Sequence, residues 1–546
     1  MSRIARIALL QLPAFSVDQA EESLQYTLRR IDEAATDSPD IIVLPEVTYP
    51  AYFLGGTDTD TLTVSPADAL AQIADRARTH DTYIAAGVAM PASGGALTNS
   101  AALIGRDGSL VGRYDKSFLW HFDDRWFAPG TVYPVFETDF GRIGMLICAD
   151  GRLPEIARSL VLNGAQLILD LTAWVSGHRD PALLSSVQLD YLMPVRAAEN
   201  GVWIACANKF GVEAESIVYC GRSCVINPRG EIVVTLDTTD AATLTYDIPI
   251  GDALPPIMRR PELYDALTQP TESLPVVRQL DEPIAVASEE ARVSALQLTM
   301  PADGTTFLQL ARKHAERLAL HHTDALVFPA TPGRYRRAYS HDAVVSGMLT
   351  LAVETEMMLA FTVNEGANAE GCRVMYLVGP SGIVAAQRQS HKPPGEKSED
   401  MPMGDGLSPV VNTRIGRIAL LCGAEAFVPE VPRSLMLRGA EVLLWSLDNP
   451  GIPMAPIARA RADENRVFLA CAGAPTVTGT AMIVDPAGRV LARALEGAEL
   501  SVSATVNRAF THAKAMAPGT DVVRNRQPTT YGTLTEATDR ARQTVI

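Results

Sequence analysis

The 546-residue sequence lacks several features that would point to a class of function. It has no basic cluster, and 47 Lys and Arg against 63 Asp and Glu leave a net charge of −16. This balance argues against nucleic acid or an anionic membrane as the main partner. No apolar run approaches the roughly 18 residues of a membrane span, and without an HExxH or paired CxxC motif we expect no metal site. What is present, 47% apolar and 20% charged residues, is typical of a folded protein.

The sequence also lacks the cysteine pattern of a disulfide framework. Its seven cysteines are odd in number and widely spaced, at positions 148, 206, 220, 224, 372, 422 and 471. This pattern favours reduced thiols in a cytoplasmic protein. The N-terminal segment ARIALLQL at 5–12 recurs as ARVSALQL at 291–298. A signal peptide has no reason to recur within a chain, so we interpret both segments as buried strands and expect a cytoplasmic location.

That recurrence is one of several, all in the same order along the chain. The clearest further pairs are DIIVLPE at 40–46 with DALVFPA at 324–330, LIGRDGSL at 103–110 with LVGPSGIV at 377–384, FGRIGMLICADGRLPE at 140–155 with IGRIALLCGAEAFVPE at 415–430, and RAAEN at 196–200 with RADEN at 461–465. Similarity at a spacing of about 270 residues indicates a duplicated domain, because solenoid repeats are about 20–50 residues long.

The repeats predict four segments: a first domain at 1–250, a connector at 251–290, a second domain at 291–512 and a C-terminal tail at 513–546. The connector is rich in proline, which removes backbone donors and favours an extended chain; its prolines are Pro255, Pro256, Pro261, Pro270, Pro275 and Pro283. The tail is polar and rich in Thr and Arg, and we expect it to pack late or stay loose.

Each domain alternates short apolar strands with helical patterns, which predicts a layered α/β fold. Strands are predicted at 4–12, 41–45, 83–89, 142–147, 166–171, 202–207, 222–227 and 231–235. Helices are predicted at 19–35, 66–79, 154–163 and 181–199, with Pro154 placed at a helix start.

Three residues of the first domain together suggest acyl transfer through a thiol. Cys148 ends a buried strand directly before the predicted helix start, where the helix dipole would favour a thiolate. Glu46 follows the strand IIVLP, and a buried carboxylate can take the thiol proton. Lys116, in GRYDK, supplies a positive charge for the developing oxyanion. Taken singly, each of the three is more often a surface or core residue.

These segments resemble the nitrilase, or carbon–nitrogen hydrolase, superfamily. The resemblance rests on LPE at 44–46, YDK at 114–116 and IGMLICADGRLPE at 143–155, with support from FAPG at 127–130, RAAEN at 196–200 and GRSCVINPRGEIV at 221–233. It implies a catalytic triad of Glu46, Lys116 and Cys148. It also implies an αββα sandwich in each domain, with the tandem chain forming within itself the dimer that single-domain members form from two subunits. Homo-oligomers of such chains are compatible with this expectation.

The resemblance extends to four further positions. Asp123 lies where many members carry a second Glu, and the backbone N–H of Ala149 would join Lys116 in holding the oxyanion. Arg152 matches one of two adjacent arginines that hold a substrate carboxylate in some D-carbamoylases, although Gly151 replaces the other. Trp174 lies where members line their pocket, but a surface role for Arg152 and a core role for Trp174 stay open.

The second domain lacks most of this set, so we expect it to be inactive. Ala330 aligns with Glu46, Lys392 with Lys116 and Glu399 with Asp123. Gly423 takes the place of the nucleophile, because it lies seven residues after Gly416 and seven before Glu430. Cys422 is one residue early, and on a strand that shift turns a side chain to the other face.

The resemblance implies cofactor-free hydrolysis of a non-peptide C–N bond in a small amide or N-carbamoyl compound, through a thioester on Cys148. Typical nitrilases follow the cysteine with Trp-Glu, whereas Ala149-Asp150-Gly151 here is closer to aliphatic amidases and carbamoylases. Three alternatives stay open: cleavage of a nitrile through a thioimidate, amide-forming acyl transfer by the same triad, and a non-enzymatic binding module. The expected partner is a small amide, carbamoyl or nitrile substrate.

Overall fold

The computed structural model describes residues 3–92, 95–253, 257–281, 290–332, 338–365, 371–392, 402–448, 453–476 and 478–536. The chain divides into two units. Unit 1 comprises Met1–Pro256 together with Ala517–Asp521 and Asn525–Leu534, and unit 2 is formed mainly by Ile257–Met516 with Val522–Arg524. Three of the connector prolines, Pro255, Pro256 and Pro283, and residues 537–546 of the tail lie outside the described residues.

Unit 1 alternates strands and helices as the sequence pattern predicts. Its strands are β1 (Arg3–Pro13), β2 (Ile41–Val43), β3 (Tyr83–Pro91), β4 (Leu97–Ile104), β5 (Leu110–Asp115), β6 (Val135–Thr138), β7 (Gly141–Ile147), β8 (Leu167–Leu171), β9 (Trp203–Ala207), β10 (Lys209–Glu213), β11 (Ile217–Cys220), β12 (Cys224–Ile226), β13 (Ile232–Thr235) and β14 (Ala242–Ile250). Its helices are α1 (Ala20–Ala34), α2 (Pro66–His80), α3 (Pro154–Leu162) and α4 (Met193–Asn200).

The strands of unit 1 form two sheets that pack face to face. The first has the order β11-β10-β1-β2-β3-β4-β5, with β14 paired to β1, and the second has the order β13-β12-β9-β8-β7-β6. Helices α1 and α2 pack on the outer face of the first sheet around an apolar cluster, and α3 and α4 contact the second sheet. Because β3 and β4 contact β8 and β7 between the sheets, the layers run αββα. This confirms the predicted α/β class.

The same layers recur in unit 2, which confirms the tandem arrangement of two α/β domains. Its strands are β15 (Glu290–Gln297), β16 (Ala325–Val327), β17 (Met358–Asn364), β18 (Arg373–Gly379), β19 (Gly382–Arg388), β20 (Val411–Thr413), β21 (Gly416–Cys422), β22 (Val442–Ser446), β23 (Phe468–Ala472), β24 (Met482–Val484), β25 (Val490–Arg493) and β26 (Leu500–Asn507). Its helices are α5 (Pro275–Leu280), α6 (Gly304–Ala319), α7 (His341–Thr355), α8 (Glu430–Leu437), α9 (Met454–Asn465) and α10 (Ala509–His512). The sheet orders are β19-β18-β17-β16-β15-β26 and β20-β21-β22-β23-β24-β25.

The described part of the tail is ordered in short elements. They are β27 (Ala515–Ala517), β28 (Thr520–Asp521) and α11 (Gly532–Thr535), and the two strands pair with each other. Most of Ala517–Leu534 belongs to unit 1, so the chain returns to its first unit after completing the second. No helix among the described residues is both long and apolar enough to cross a membrane.

One predicted helix and two hairpins differ between sequence and structure. The helix expected at 181–199 is wrong over its first part, because Asp180 caps only the single turn Pro181–Leu183 and a π-helical turn, Gln188–Leu192, precedes α4. The hairpins β4–β5 and β10–β11 were not predicted. In β4, the buried polar residues Thr98, Asn99 and Ser100 interrupt the apolar pattern.

Candidate active site

Glu46 lies just after β2 in a fully buried position. Its side chain is 1% exposed, and its Oε1 accepts hydrogen bonds of 2.7 Å from both Asn99 Nδ2 and Lys116 Nζ. Gly87 on β3 allows this turn to approach, since a Cβ there would lie 2.1 Å from the carbonyl oxygen of Pro45. Within the described residues, Glu46 Oε2 has no hydrogen-bond partner. That oxygen is therefore available to accept a proton.

Lys116 follows β5 and joins two carboxylates. Its Nζ donates to Glu46 Oε1 and to Asp123 Oδ2, each at 2.7 Å, and all three side chains are buried. Asp123 Oδ2 also accepts the backbone N–H of Trp120 at 2.9 Å. Burial alone would lower the pKa of Lys116, but the charges of Asp123 and Glu46 outweigh it and raise that pKa well above its usual value. Lys116 is thus a fixed cation.

Cys148 ends the apolar strand β7 and begins a single helical turn, Cys148–Arg152. Its φ of +49° lies in the left-handed region, and its residue exposure is 7%. The N–H of Ala149 lies in the first positions of this turn, where amides have no partner within a helix. The turn thus brings the thiol and a donor amide to the same strand end, as the sequence predicts for a nucleophile and an oxyanion donor.

The thiol of Cys148 is neutral at rest. Burial raises its pKa well above the usual value, the negative charge of Glu46 raises it further, and the charge of Lys116 lowers it. A neutral thiol needs a base to become a nucleophile. Two buried carboxylates, Glu46 and Asp170, both raise the pKa of this thiol.

Asp150 joins the nucleophile turn to the residues that follow Lys116. Its two carboxylate oxygens accept the N–H groups of Ile147, Ser117 and Phe118 and the hydroxyl of Tyr114, at 2.7 to 3.1 Å. Burial raises the pKa of Asp150 to about 6, against the lowering effect of these hydrogen bonds. Asp150 therefore holds the ends of β5 and β7 together.

An aromatic cluster adjoins Lys116 through Tyr52. Tyr52, Phe53, Phe122 and Trp126 pack against one another with ring centroids 5.0 to 5.6 Å apart. The Lys116 ammonium lies 5.7 Å from the centre of the Tyr52 ring. Because Tyr52 is buried, its ring keeps water from that side of the ammonium, which strengthens the interaction of Lys116 with its carboxylates.

The two predicted substrate contacts lie in different environments. The Arg152 guanidinium stacks over the Trp120 ring at 4.2 Å, next to the loop that carries Asp123. Trp174 is fully buried, and its backbone N–H donates to Asn208 Oδ1 at 2.8 Å. A substrate role for either residue stays a prediction.

The C-terminal segment Ala517–Leu534 contacts the loop between Lys116 and the strand β6. Gln527 Nε2 donates to the carbonyls of Ser117 and Gly130, each at 3.0 Å. Thr520 Oγ1 accepts the N–H of His121 at 2.6 Å. Because Asp123 lies within this loop, the segment supports the carboxylate that holds Lys116.

Four polar residues of the site were missed by sequence reasoning: Asn99, Asp150, Asp170 and Gln188. Asp170 Oδ1 accepts the N–H of Cys148 at 3.0 Å, and Gln188 Nε2 donates to the Cys148 carbonyl at 2.6 Å. Asp170 interrupts the otherwise apolar strand LILDL, and Asn99 lies in a run of three buried polar residues, Thr98 to Ser100, in the strand LTNSAALI. A polar residue within a strand that is otherwise predicted to be buried could have indicated these site residues.

Among its described residues, unit 2 lacks counterparts of Glu46, Lys116 and Cys148, and one predicted alignment is wrong. The backbone register places Gln389, not Lys392, in the position of Lys116. The N–H of Lys116 donates to the carbonyl of Asn99, and its own carbonyl accepts the N–H of Gly130. Gln389 makes the same two bonds, to the carbonyl of Arg373 and from the N–H of Gly404. The predicted match of Lys392 with Lys116 is therefore three residues out of register. Lys392 is buried, but it lies three residues farther along the chain.

Two of the other assignments in unit 2, Ala330 and Gly423, agree with the prediction. Ala330 repeats the backbone bond of Glu46, since its N–H donates to Leu447 O as that of Glu46 donates to Thr172 O. Gly423 begins the turn Gly423–Phe427 with φ of +60°, which confirms it in the position of Cys148. Cys422 lies one residue earlier in an apolar core cluster. Glu399 lies outside the described residues.

In the described part of the chain, no group of three or more His, Cys, Asp or Glu is arranged to hold a metal ion. All seven cysteines are free and buried.

Comparisons with known proteins identify a family for both halves of the chain. Residues 6–254 and 292–515 each match the family model described as carbon–nitrogen hydrolase. A probable nitrilase from Schizosaccharomyces pombe is 28% identical over 49% of this chain and 99% of that protein. An omega-amidase from Bos taurus is 29% identical over 44% of this chain and 87% of that protein. The crystal structure of an amidase from Nesterenkonia sp. matches with 24% identity and a TM-score of 0.40, over 46% of this chain and 92% of that one.

Proposed function

The chain belongs to the carbon–nitrogen hydrolase family, and from this premise we propose that unit 1 hydrolyses a small amide or N-carbamoyl compound through a thioester on Cys148. The observation that carries the proposal is the buried chain of 2.7 Å bonds from Glu46 through Lys116 to Asp123, next to a cysteine at a strand end. This set provides a base, a cation and a nucleophile without further groups.

The first half-reaction acylates the cysteine. Glu46 Oε2 accepts the thiol proton as Cys148 Sγ attacks the substrate carbonyl carbon. Lys116 Nζ and the N–H of Ala149 stabilise the oxyanion, a type of contact worth about 10²–10³ in rate for one donor. As the tetrahedral intermediate collapses, the C–N bond breaks, Glu46 returns the proton to the departing nitrogen, and ammonia or an amine leaves.

The second half-reaction releases the acyl group. Glu46 accepts a proton from water, the resulting hydroxide attacks the thioester carbonyl, and the same donors hold the new oxyanion. The C–S bond then breaks and Cys148 regains its proton. Asp123 stays bound to Lys116 throughout, so it maintains the ammonium in its place and acts as a supporting acid–base group only through that contact.

Unit 2 has no part in the chemistry in this proposal. Ala330, Gln389 and Gly423 replace the base, the cation and the nucleophile, so unit 2 cannot perform any of the steps above. The name of the omega-amidase relative and the Cys148-Ala149-Asp150 sequence favour amides over nitriles.

The test is a substrate panel of primary amides, N-carbamoyl amino acids, ureas and nitriles, with ammonia release as the readout. Cys148→Ala should abolish release, whereas the matched variant Cys422→Ala in unit 2 should keep it nearly intact. Release from nitriles alone would overturn the amide assignment. Release that survives in Cys148→Ala would remove the nucleophile from the account.

A further inference from the structure

The backbone conformation of Cys148 is unfavourable for a residue that has a side chain. Its φ of +49° places it in the left-handed region, which non-glycine residues occupy rarely and at a cost of roughly 1–3 kcal/mol. Such a conformation persists only where neighbouring groups stabilise it. The groups that bond this residue are therefore of functional interest.

Two side chains from different elements bond both peptide groups of Cys148. Asp170 Oδ1 accepts its N–H at 3.0 Å, and Gln188 Nε2 donates to its carbonyl oxygen at 2.6 Å. Asp170 lies in β8, which pairs with the nucleophile strand in parallel, and Gln188 begins the π-helical turn before α4. Both residues are almost fully buried, so water does not compete for these bonds.

Unit 2 shows the same turn, but there a side chain bonds only the carbonyl. Gly423 takes up φ of +60°, a conformation that costs glycine little. The position of Asp170 holds Trp445, since Leu421 pairs with Trp445 as Leu146 pairs with Asp170. The indole Nε1 of this tryptophan donates to the Gly423 carbonyl at 2.8 Å, so no side-chain acceptor meets the glycine N–H from this strand.

The bond from the Cys148 N–H lies in a fully buried place, because Asp170 has no exposed surface. Burial raises the pKa of Asp170 well above the usual value, the hydrogen bond from the Cys148 N–H opposes that rise, and the charge of Glu46 adds to it. The feature of Asp170 that meets the peptide is an oxygen that accepts the Cys148 N–H, and an asparagine oxygen can accept the same N–H.

We propose that Asp170 is a positioning residue which, with Gln188, holds Cys148 in the conformation that presents its thiol to Glu46 and the Ala149 N–H to the oxyanion. The proposal rests on the proposed function, because that function makes Cys148 the nucleophile. It goes further by assigning roles to two residues outside the triad.

The test compares Asp170→Asn with Asp170→Leu. Asparagine keeps an oxygen that can accept the Cys148 N–H, so we expect its kcat to stay within about fivefold of the wild type. Leucine removes the acceptor and should lower kcat about 100-fold with little change in KM. A 100-fold loss corresponds to about 2.7 kcal/mol of transition-state stabilisation. Gln188→Met removes the second bond at a separate position and should lower kcat about tenfold. Trp445→Phe in unit 2 is the matched control and should leave activity unchanged.

A second readout needs no substrate. The rate at which iodoacetamide alkylates Cys148, followed by mass spectrometry of the peptide, should change in Asp170→Leu and be restored in Asp170→Asn. If no substrate is turned over but alkylation follows this pattern, the proposed function fails and the positioning role stands. Alkylation and kcat that stay within twofold in a folded Asp170→Leu, or an equal loss in Asp170→Asn, would overturn the role. Should Asp170→Leu not fold, the Asn and Gln188→Met variants decide the question by the same criteria.

Discussion

Replacing Lys116 by methionine should damage stability and catalysis through two separable effects. The variant keeps the apolar stem but removes the ammonium that bonds Glu46 and Asp123 at 2.7 Å. Two buried carboxylates then face each other without a cation. Removing one partner of a buried ion pair typically costs about 3–5 kcal/mol of folding free energy.

The effect of Lys116→Met on catalysis is independent of its effect on stability. Loss of one oxyanion donor lowers kcat by about 10²–10³. In the double variant Lys116→Met/Asp123→Asn, one of the two buried charges is neutralised, so most of the stability should return while kcat stays low. This separation distinguishes a cation that acts on the reaction from one that only holds the fold.

The assay pairs urea unfolding with ammonia release under saturating substrate, with activity expressed per folded molecule. Lys392→Met in unit 2 serves as the control, because this buried lysine lies outside the place of Lys116, and its activity per folded molecule should equal that of the wild type. A kcat within tenfold of the wild type in folded Lys116→Met would refute the role of the ammonium. If the double variant regained activity together with stability, that result would also refute a role of the ammonium in the reaction.

Three further predictions concern the thiol, the tail and pH. Glu46→Gln removes the base that takes the thiol proton in the proposed mechanism, so kcat in the ammonia assay should fall by about 10²–10⁴. A kcat within tenfold of the wild type in the folded variant would contradict the role of Glu46 as base. Gln527→Ala removes both bonds to the loop carbonyls and should lower kcat several-fold, measured against the exposed control Thr529→Ala. Equal activities in the two variants would limit the segment to a structural role. Asp150 has its pKa raised from 3.8 to about 6, so its folded form holds the proton more tightly. Asp150 should therefore stabilise the fold below about pH 4, and this contribution should be lost as the pH rises through about 6. In urea unfolding, the free energy of unfolding should change over this range by about 3 kcal/mol relative to Asp150→Asn. A difference between the two proteins that does not depend on pH would contradict the raised pKa of Asp150.

Local patterns in the sequence predicted the fold class and the ends of the strands that lead to Glu46 and Cys148. Apolar runs bounded by turn residues predicted β1, β2, β7 and β8, and the internal repeats predicted a second unit with the same layers. Glu46, Lys116 and Cys148 all lie at or just beyond strand ends, where side chains from distant segments meet at one edge. Their positions could therefore be predicted without knowing which strands are neighbours.

What the sequence did not reveal depends on pairing between distant segments. Asn99 reaches Glu46 only because β4 pairs with β3, and Asp170 reaches Cys148 only because β8 pairs with β7. The predicted alignment of Lys392 with Lys116 failed for the same reason. The backbone hydrogen bonds place Gln389 there instead, and a shift of three residues cannot be read from the sequence. Long-range register is not encoded in local periodicity.

The most direct test of the central claim is the mass of the enzyme during turnover. The protein is mixed with excess substrate from the amide panel, quenched in acid within a turnover time, digested and analysed by peptide mass spectrometry. The account predicts an acyl group on the peptide that contains Cys148, enriched under conditions that slow its hydrolysis, and none on the peptide that contains Cys422. Turnover with no adduct at Cys148 under those conditions, or an adduct at Cys422, would contradict it.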